Sequence, residues 1–327
     1  YDYEYFKTIS KLDEENERTL KSTIDVYRKL GAILTFDCTP FFENNVPRFG
    51  EICSFSASGG AVYVNSVLGA RTNREAAQSA MCAAITGVTP EYGLLLEQNR
   101  AGDVLIQVEA DVDSEYDYEL LGYITPKKMG QAYHCPVFNG LSKQTTSEQL
   151  MDLGTQLNIH GIVPMFHVAG VTPEAADVHT AFLGRKDPPV VTITNEDLAQ
   201  ARAEISAGTG KADFCILGCP HLTINQVGSI AKMLDGQQLA GQLYIFTSTS
   251  TKELAQRMGY LDIIHKAGGE IVINSCVDQP CWSHLYGMSG VTESPKCAYY
   301  TKRWNMTFTV KSIPACIQSV LKGEIVS

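Results

Sequence analysis

The chain has 327 residues, 44% of them hydrophobic and 19% charged, enough to bury one large core or two medium ones without a disulfide framework. A net charge of -10 argues against a nucleic-acid backbone as partner, because such binding is driven by clustered Lys and Arg; a small molecule or another protein is expected instead. No apolar run approaches the roughly 20 residues of a membrane span, and Tyr1-Asp2-Tyr3-Glu4-Tyr5 has neither the basic flank nor the apolar stretch of a signal peptide, so a cytoplasmic location is the default expectation.

In chain order, Leu20, Ile24, Tyr27 and Leu30 fall at helical spacing among charges, which predicts a helix over 13–30 with Gly31 as its stop. The apolar runs 32–36, 62–64 and 104–108 read as short strands. Thr72-Asn73-Arg74-Glu75 has capping-box spacing, with Thr72 as N-cap and Glu75 at N3, ahead of an apolar helix that runs to Thr86 and stops at Gly87. From about Thr146 the pattern alternates. Helices are predicted over 147–157, 195–205, 225–234, 251–267 and 314–321, with strands over 161–168, 214–217, 243–246 and 271–273. Such alternation implies parallel sheets with right-handed crossovers, hence an α/β fold of three α/β/α layers. The loop over 138–147 is taken as the domain boundary, giving an N-terminal α/β domain 1–145 and a C-terminal α/β part 146–327.

Three of the ten cysteines share a local context. Cys38, Cys219 and Cys276 each lie one to three residues beyond an apolar run that follows a helix. In open parallel sheets, ligands collect outside the carboxyl ends of the strands, so three thiols placed there converge although distant in sequence. Three thiolates suit an iron-sulfur cluster or zinc, and a metal position left without a protein ligand acts as a Lewis acid toward substrate oxygen. The plainer alternative is a set of buried strand-end cysteines. Cys82, Cys215 and Cys316 read as core, whereas Cys53, Cys135, Cys281 and Cys297 fall in loops and stay open as ligands.

A helix N-terminus flanked by Arg71 and Arg74, with Thr72 and Asn73 between them, would bind a carboxylate or phosphate; a plain cap with two solvated arginines is the alternative. Ser58, within the small stretch Ser56 to Gly60, would bring backbone donors close to a ligand. Asn65 and Ser66, following an expected strand, either hydrogen-bond substrate oxygens or form a turn. His221, two residues past Cys219, either bonds a cluster sulfur or a substrate carboxylate or is structural. His167, at the end of an apolar run, is either core or pocket, and Arg48 is a second anion candidate, with a solvated face as the alternative.

Several ordered segments carry a resemblance: Cys38-Thr39-Pro40-Phe41, Asn45-Val46-Pro47-Arg48-Phe49-Gly50-Glu51, Tyr63-Val64-Asn65-Ser66-Val67-Leu68-Gly69-Ala70-Arg71-Thr72-Asn73-Arg74-Glu75 and Gly218-Cys219-Pro220-His221. Thr89-Pro90-Glu91-Tyr92-Gly93, His167-Val168-Ala169-Gly170-Val171-Thr172-Pro173-Glu174-Ala175 and Arg257-Met258-Gly259-Tyr260 belong to the same set. Together they resemble the aconitase X family. The resemblance implies an aconitase-like fold and an iron-sulfur cluster on three cysteines, here Cys38, Cys219 and, matched through its neighbours, Cys276. A 4Fe-4S cluster is favoured over a 2Fe-2S one. It further implies dehydration of a small hydroxylated acid, such as cis-3-hydroxyproline or 5-phosphomevalonate, by a heterodimer whose small swivelling subunit carries the general base. Two departures weaken the expectation of activity: Ala57 stands where the family's Trp-Ser-Glu-Ser has an acidic residue, and the family's segment ahead of the helix that opens this sequence is expected to be absent. A non-catalytic relative that binds an anion or partner, with structural or zinc-bound thiols, is the alternative.

Overall fold

The computed structural model describes residues 1–326, and its contacts divide them into two compact units: residues 1–39 together with 205 onward, and residues 40–204. The boundary expected at 145/146 lies inside the second unit. There the helix after the loop packs so closely on the one before it that a Cβ on Gly122 would meet the Leu153 carbonyl oxygen at 2.6 Å. Cys38 therefore shares a unit with Cys219 and Cys276 rather than lying in a separate N-terminal domain.

The first unit begins with α1 (Tyr3–Ile9), capped by Asp2, whose Phe6 is fully buried edge-on against Trp282. Helix α2 (Glu14–Lys29) follows the sequence reading: Asp13 caps it, acidic residues fill its first turn and Arg28 and Lys29 its last, complementing the helix dipole. The strand expected over 32–36 does not form. This stretch pairs with no sheet among the described residues, and Ile33 is 83% exposed.

In the second unit, α3 (Ser58–Ser66) stands where a strand was expected over 62–64; a three-residue apolar run does not distinguish strand from buried helix. Small residues favour the helix here, because Gly59 and Gly154 let α3 approach its neighbour at Thr155 and Val62. Helix α4 (Ala77–Thr86) ends at a left-handed Gly87 as read, but Ala76 precedes it, not Thr72. Then come β1 (Val104–Val108), α5 (Glu115–Met129), β2 (Pro136–Asn139), α6 (Ser147–His160), β3 (His167–Val168), α7 (Val178–Ala181), β4 (Val190–Ile193) and α8 (Asn195–Ile205). Only the last two residues of the strand expected over 161–168 are paired. The four strands are parallel in the order β3-β2-β1-β4, and capping boxes at Ser114 and Thr146 start α5 and α6.

His167 is core rather than pocket: it is buried, Nε2 lies 2.8 Å from the Arg100 carbonyl oxygen, and Nδ1 has no partner among the described residues. Burial holds its pKa below the ordinary 6.5. The folded state thus keeps the ring neutral while the unfolded chain takes up a proton below about 6.5. The contribution is full above that pH and is lost as pH falls, by up to about 1.4 kcal/mol per unit, until the folded ring also protonates. Urea midpoints measured between pH 8 and pH 5 should fall less in His167→Gln than in the parent, and parallel curves would refute this.

The first unit resumes with β5 (Phe214–Leu222), α9 (Ile224–Leu234), β6 (Gln242–Thr247), α10 (Thr249–Arg257), α11 (Tyr260–Ala267), β7 (Gly269–Val272), β8 (Ser289–Thr292), α12 (Pro295–Tyr300), β9 (Thr307–Val310) and α13 (Ile313–Lys322). The single helix expected over 251–267 is broken at Gly259, which has φ 76. Five parallel strands run in the order β7-β6-β5-β8-β9. Cys215, Leu217, Leu243, Ile245 and Val291 pack beneath α9, α11 and α13 on one face, and Phe214, Ile216, Tyr244 and Phe246 meet Trp282 and Phe6 on the other. The five-stranded sheet thus lies between two layers, as the α/β/α reading expected. The strand order reverses between β5 and β8, which places the crevice for a ligand at their carboxyl ends. No helix among the described residues is long and apolar enough to cross a membrane.

Candidate metal centre

At the carboxyl end of β5 the register against β6 shifts between Leu217 and Leu222, and Gly218-Cys219-Pro220-His221 occupies the irregularity, with a cis Cys219-Pro220 bond. Gly218 has φ 109, and a Cβ there would meet the Phe246 carbonyl oxygen at 2.3 Å; backbone of both strands approaches so closely that only glycine fits. Gly218→Ala should therefore cost about 2–3 kcal/mol in stability, through left-handed strain and the clash together. Thermal or urea unfolding checks this, and a change under 0.5 kcal/mol would show that the arm yields.

Cys276 lies four residues beyond β7, Cys219 lies within the bulged end of β5, and Cys38 sits at a bend closing an irregular segment in which Phe36 is left-handed, not at the end of a strand. The strand-end description holds for Cys219 and loosely for Cys276, and fails for Cys38. The three nevertheless act on one another. Burial pushes the Cys219 thiol up against the opposing charge of Lys296, with charge on Cys276 and on Cys38 adding to the rise, and burial and Cys38 push up Cys276. All ten cysteines are free thiols.

His221 fastens the three arms. Its backbone N donates to Cys38 Sγ at 3.2 Å, its Nδ1 lies 2.9 Å from Asp37 Oδ1, and its Nε2 lies 2.9 Å from the Ser275 carbonyl oxygen. One residue, two past Cys219, thus holds the chain beside Cys38 and beside Cys276. Both ring nitrogens face acceptors, so both bonds form only when the ring is the doubly protonated imidazolium. Burial opposes that charge, but Cys38 and Asp37 outweigh it and raise His221 well above its ordinary value. In the other direction, burial works to raise Cys38 and Asp37, yet His221, with Thr39 donating to Asp37 at 2.9 Å, pulls both down. Cys38 is the thiol of the three that this environment favours as thiolate.

The donor set fits a thiolate-held metal centre. Asp37, Cys38 and His221 each offer an atom within 4.8 Å of the others'. His221, spent on both nitrogens, orients this group rather than adding a ligand. N–H groups reach two sulfurs, at Cys38 and, from Asp278 at 3.5 Å, at Cys276, as suits thiolates whose charge a cluster shares. Asp37 Oδ2 is buried with no partner among the described residues. Sequence reasoning missed Asp37 and Ser275. The position of Asp37 next to Cys38 was a usable signal, whereas Ser275 acts through its backbone carbonyl and left none.

The expected anion-binding residues belong to the second unit and are largely occupied there. Asn65 lies on α3, where its side chain donates to Thr72 O at 2.8 Å and Pro164 O at 3.0 Å and accepts from Thr72 N at 3.0 Å. Ser66 accepts from Phe166 N at 2.9 Å. Thr72 accepts from Phe55 N and donates to Asn73 O, and Asn73 accepts from Leu94 N. These four are buried and hold the 66–75 loop to its neighbours, so they neither follow a strand nor cap a helix. Arg71 pairs with Glu97 at 2.6 Å and Arg74 donates to Asn158 at 3.0 Å; both keep exposed surface, but neither flanks a helix start. Ser58 opens α3, whose preceding Ala57 gives no side-chain cap.

Models of the aconitase X first, second and third domains match residues 4–98, 102–203 and 212–322. The phosphomevalonate dehydratase large subunit of Thermococcus kodakarensis is 34% identical over 309 residues, spanning 94% of this chain and 78% of that protein. The protein of the same name from Methanothermobacter thermautotrophicus is 36% identical over 288 residues, spanning 88% and 70%. A cis-3-hydroxy-L-proline dehydratase of Pseudomonas aeruginosa is 34% identical over 264 residues, spanning 78% of this chain but 45% of its own length. The crystal structure of Thermococcus kodakaraensis aconitase X in its holo-form superposes with a TM-score of 0.84 at 32% identity, covering 95% of this chain and 79% of that one.

Proposed function

The chain belongs to the aconitase X family, and from that premise we propose that it is the large subunit of an iron-sulfur dehydratase acting on a small hydroxylated acid. Phosphomevalonate is the favoured substrate, because relatives named for it share most of their length with this chain, whereas the hydroxyproline dehydratase of Pseudomonas aeruginosa shares less than half. The observation that carries the reading is the triple fastening by His221, which gathers Cys38, Cys219 and Cys276 into one polar cluster of the first unit. We assign the three thiols as ligands of a 4Fe-4S cluster. When bound, such a cluster supplies Lewis acidity toward a leaving hydroxyl.

This chain's own residues prepare that centre. The His221 imidazolium sets a positive charge beside the Cys38 thiolate and holds its protons at Asp37 and at the Ser275 carbonyl, so it orients and does not serve as the base. The general base is assigned to a small partner subunit, which the relatives' name of large subunit supports. The test is anaerobic co-expression with that subunit, followed by iron and sulfide analysis and dehydration assays with phosphomevalonate and with cis-3-hydroxyproline. Water loss from either acid by the pair, and not by this chain alone, is expected. A pair loaded with iron and sulfide that dehydrates neither would overturn the reading in favour of a non-catalytic relative, for which Ala57 is the specific support.

A further inference from the structure

Glu293 follows β8 directly and is 6% exposed, an unusual place for a carboxylate with no cation bonded to it among the described residues. Its surroundings explain it. Strands β5 and β8 pair only at Phe214 with Gly290 and Cys215 with Val291; beyond that the β8 chain turns at Ser294, the cap of α12. The backbone N–H groups at Gly218 and Cys219 therefore lie past the end of that ladder, in the crevice where the strand order reverses. Buried N–H groups need acceptors. Glu293 Oε1 accepts from Gly218 N at 2.7 Å and from Cys219 N at 3.2 Å, while Oε2 takes Thr292 Oγ1 at 3.3 Å.

We propose that Glu293 is the positioning residue for Cys219: reaching from the end of β8, its carboxyl oxygen brackets two successive N–H groups and fixes the direction in which the Cys219 thiol points. The inference rests on the assignment of Cys219 as a ligand. His221 secures the arm on one side of the cysteine, through Asp37 and Ser275, and Glu293 secures it on the other, so the thiol sits between two anchored points. What the bracket needs is an oxygen at that reach, not a negative charge. An amide supplies the same oxygen, whereas a carboxylate one methylene shorter does not reach.

That distinction sets the experiment. Glu293→Gln, Glu293→Asp and Glu293→Ala are made in the full chain together with the parent. Two quantities are read: iron and sulfide retained against a chelator, with the electron paramagnetic resonance spectrum of the reduced protein, and the alkylation rate of Cys219 relative to Cys38 after metal removal, by peptide mass spectrometry. The Gln variant should stay within about twofold of the parent in both, with an unchanged spectrum. The Asp and Ala variants should lose iron about tenfold faster and alkylate Cys219 about tenfold faster relative to Cys38, the scale expected when support of a ligand is removed. Asp behaving as the parent while Gln behaves as Ala would assign the role to charge and overturn the proposal, as would four indistinguishable proteins. If the Ala variant fails to fold, the Gln and Asp pair decides. If the parent itself holds no iron, the cluster reading fails, and the alkylation ratio still tests the bracket by itself.

Discussion

Replacing Cys38 by alanine is expected to leave a folded chain that retains less than about a tenth of the parent's iron and sulfide after anaerobic purification. Of the three assigned ligands, Cys38 is the thiol whose surroundings lower its pKa, because the His221 imidazolium stands beside it. A metal binds the thiolate, so removing the sulfur that is most readily deprotonated takes away the arm that enters coordination at least cost in proton release. Cys219→Ala and Cys276→Ala should also lose the cluster. Cys215→Ala should keep it, since that side chain faces the packed layer beneath α9 and α13. Folding supplies an independent readout. A cofactor that binds only the native state raises stability with the logarithm of one plus its free concentration over its dissociation constant, so iron and sulfide reconstitution should raise the melting temperature of the parent and of Cys215→Ala, but not of the three ligand variants. Full iron in all three would show the ligand assignment to be wrong.

How much of this centre the sequence disclosed depends on the range of the forces involved. Cys219 was legible because an apolar run before Gly218 announces a strand end, and parallel topology sends strand ends to one edge. Cys38 was found through a strand that does not exist; the resemblance, not the local pattern, made it a sound candidate. The buried pairing of Asp37 with His221 links positions 184 apart, and no periodicity reports a contact of that kind. The same holds for the chain's return from the second unit to the first, since no local pattern announces that residues 1–39 and those from Ile205 onward share one compact unit. At Thr72 a correct local rule met stronger competition. Its hydroxyl is drawn into bonds with Phe55 and Asn73, and its backbone to Asn65, so the helix begins only after Ala76. Helices Glu14–Lys29 and Ser147–His160 were legible because caps, charges and apolar spacing agree with one another there.

The second large effect is expected at His221, and it separates fastening from metal binding because it is measured in metal-free protein. The His221 and Asp37 side chains are 3% and 1% exposed. Truncation to His221→Ala leaves a buried carboxylate that has already one oxygen without a partner, and strips the donor from the Ser275 carbonyl. Breaking a buried ion pair from one side costs about 3–5 kcal/mol, most of it the penalty of the charge left behind. Urea unfolding should show a loss of that order. Asp37→Asn removes the charge and keeps the shape, so adding it to His221→Ala should cost less than the sum of the two single changes, with a coupling of about 1–3 kcal/mol. Additive costs would mean that the 2.9 Å contact is incidental and that His221 steadies the arms through packing alone. A strong coupling instead makes the imidazolium the element that assembles Cys38, Cys219 and Cys276 before any metal arrives, at the cost of a buried charge that a hydrophobic core of the same volume would not bear.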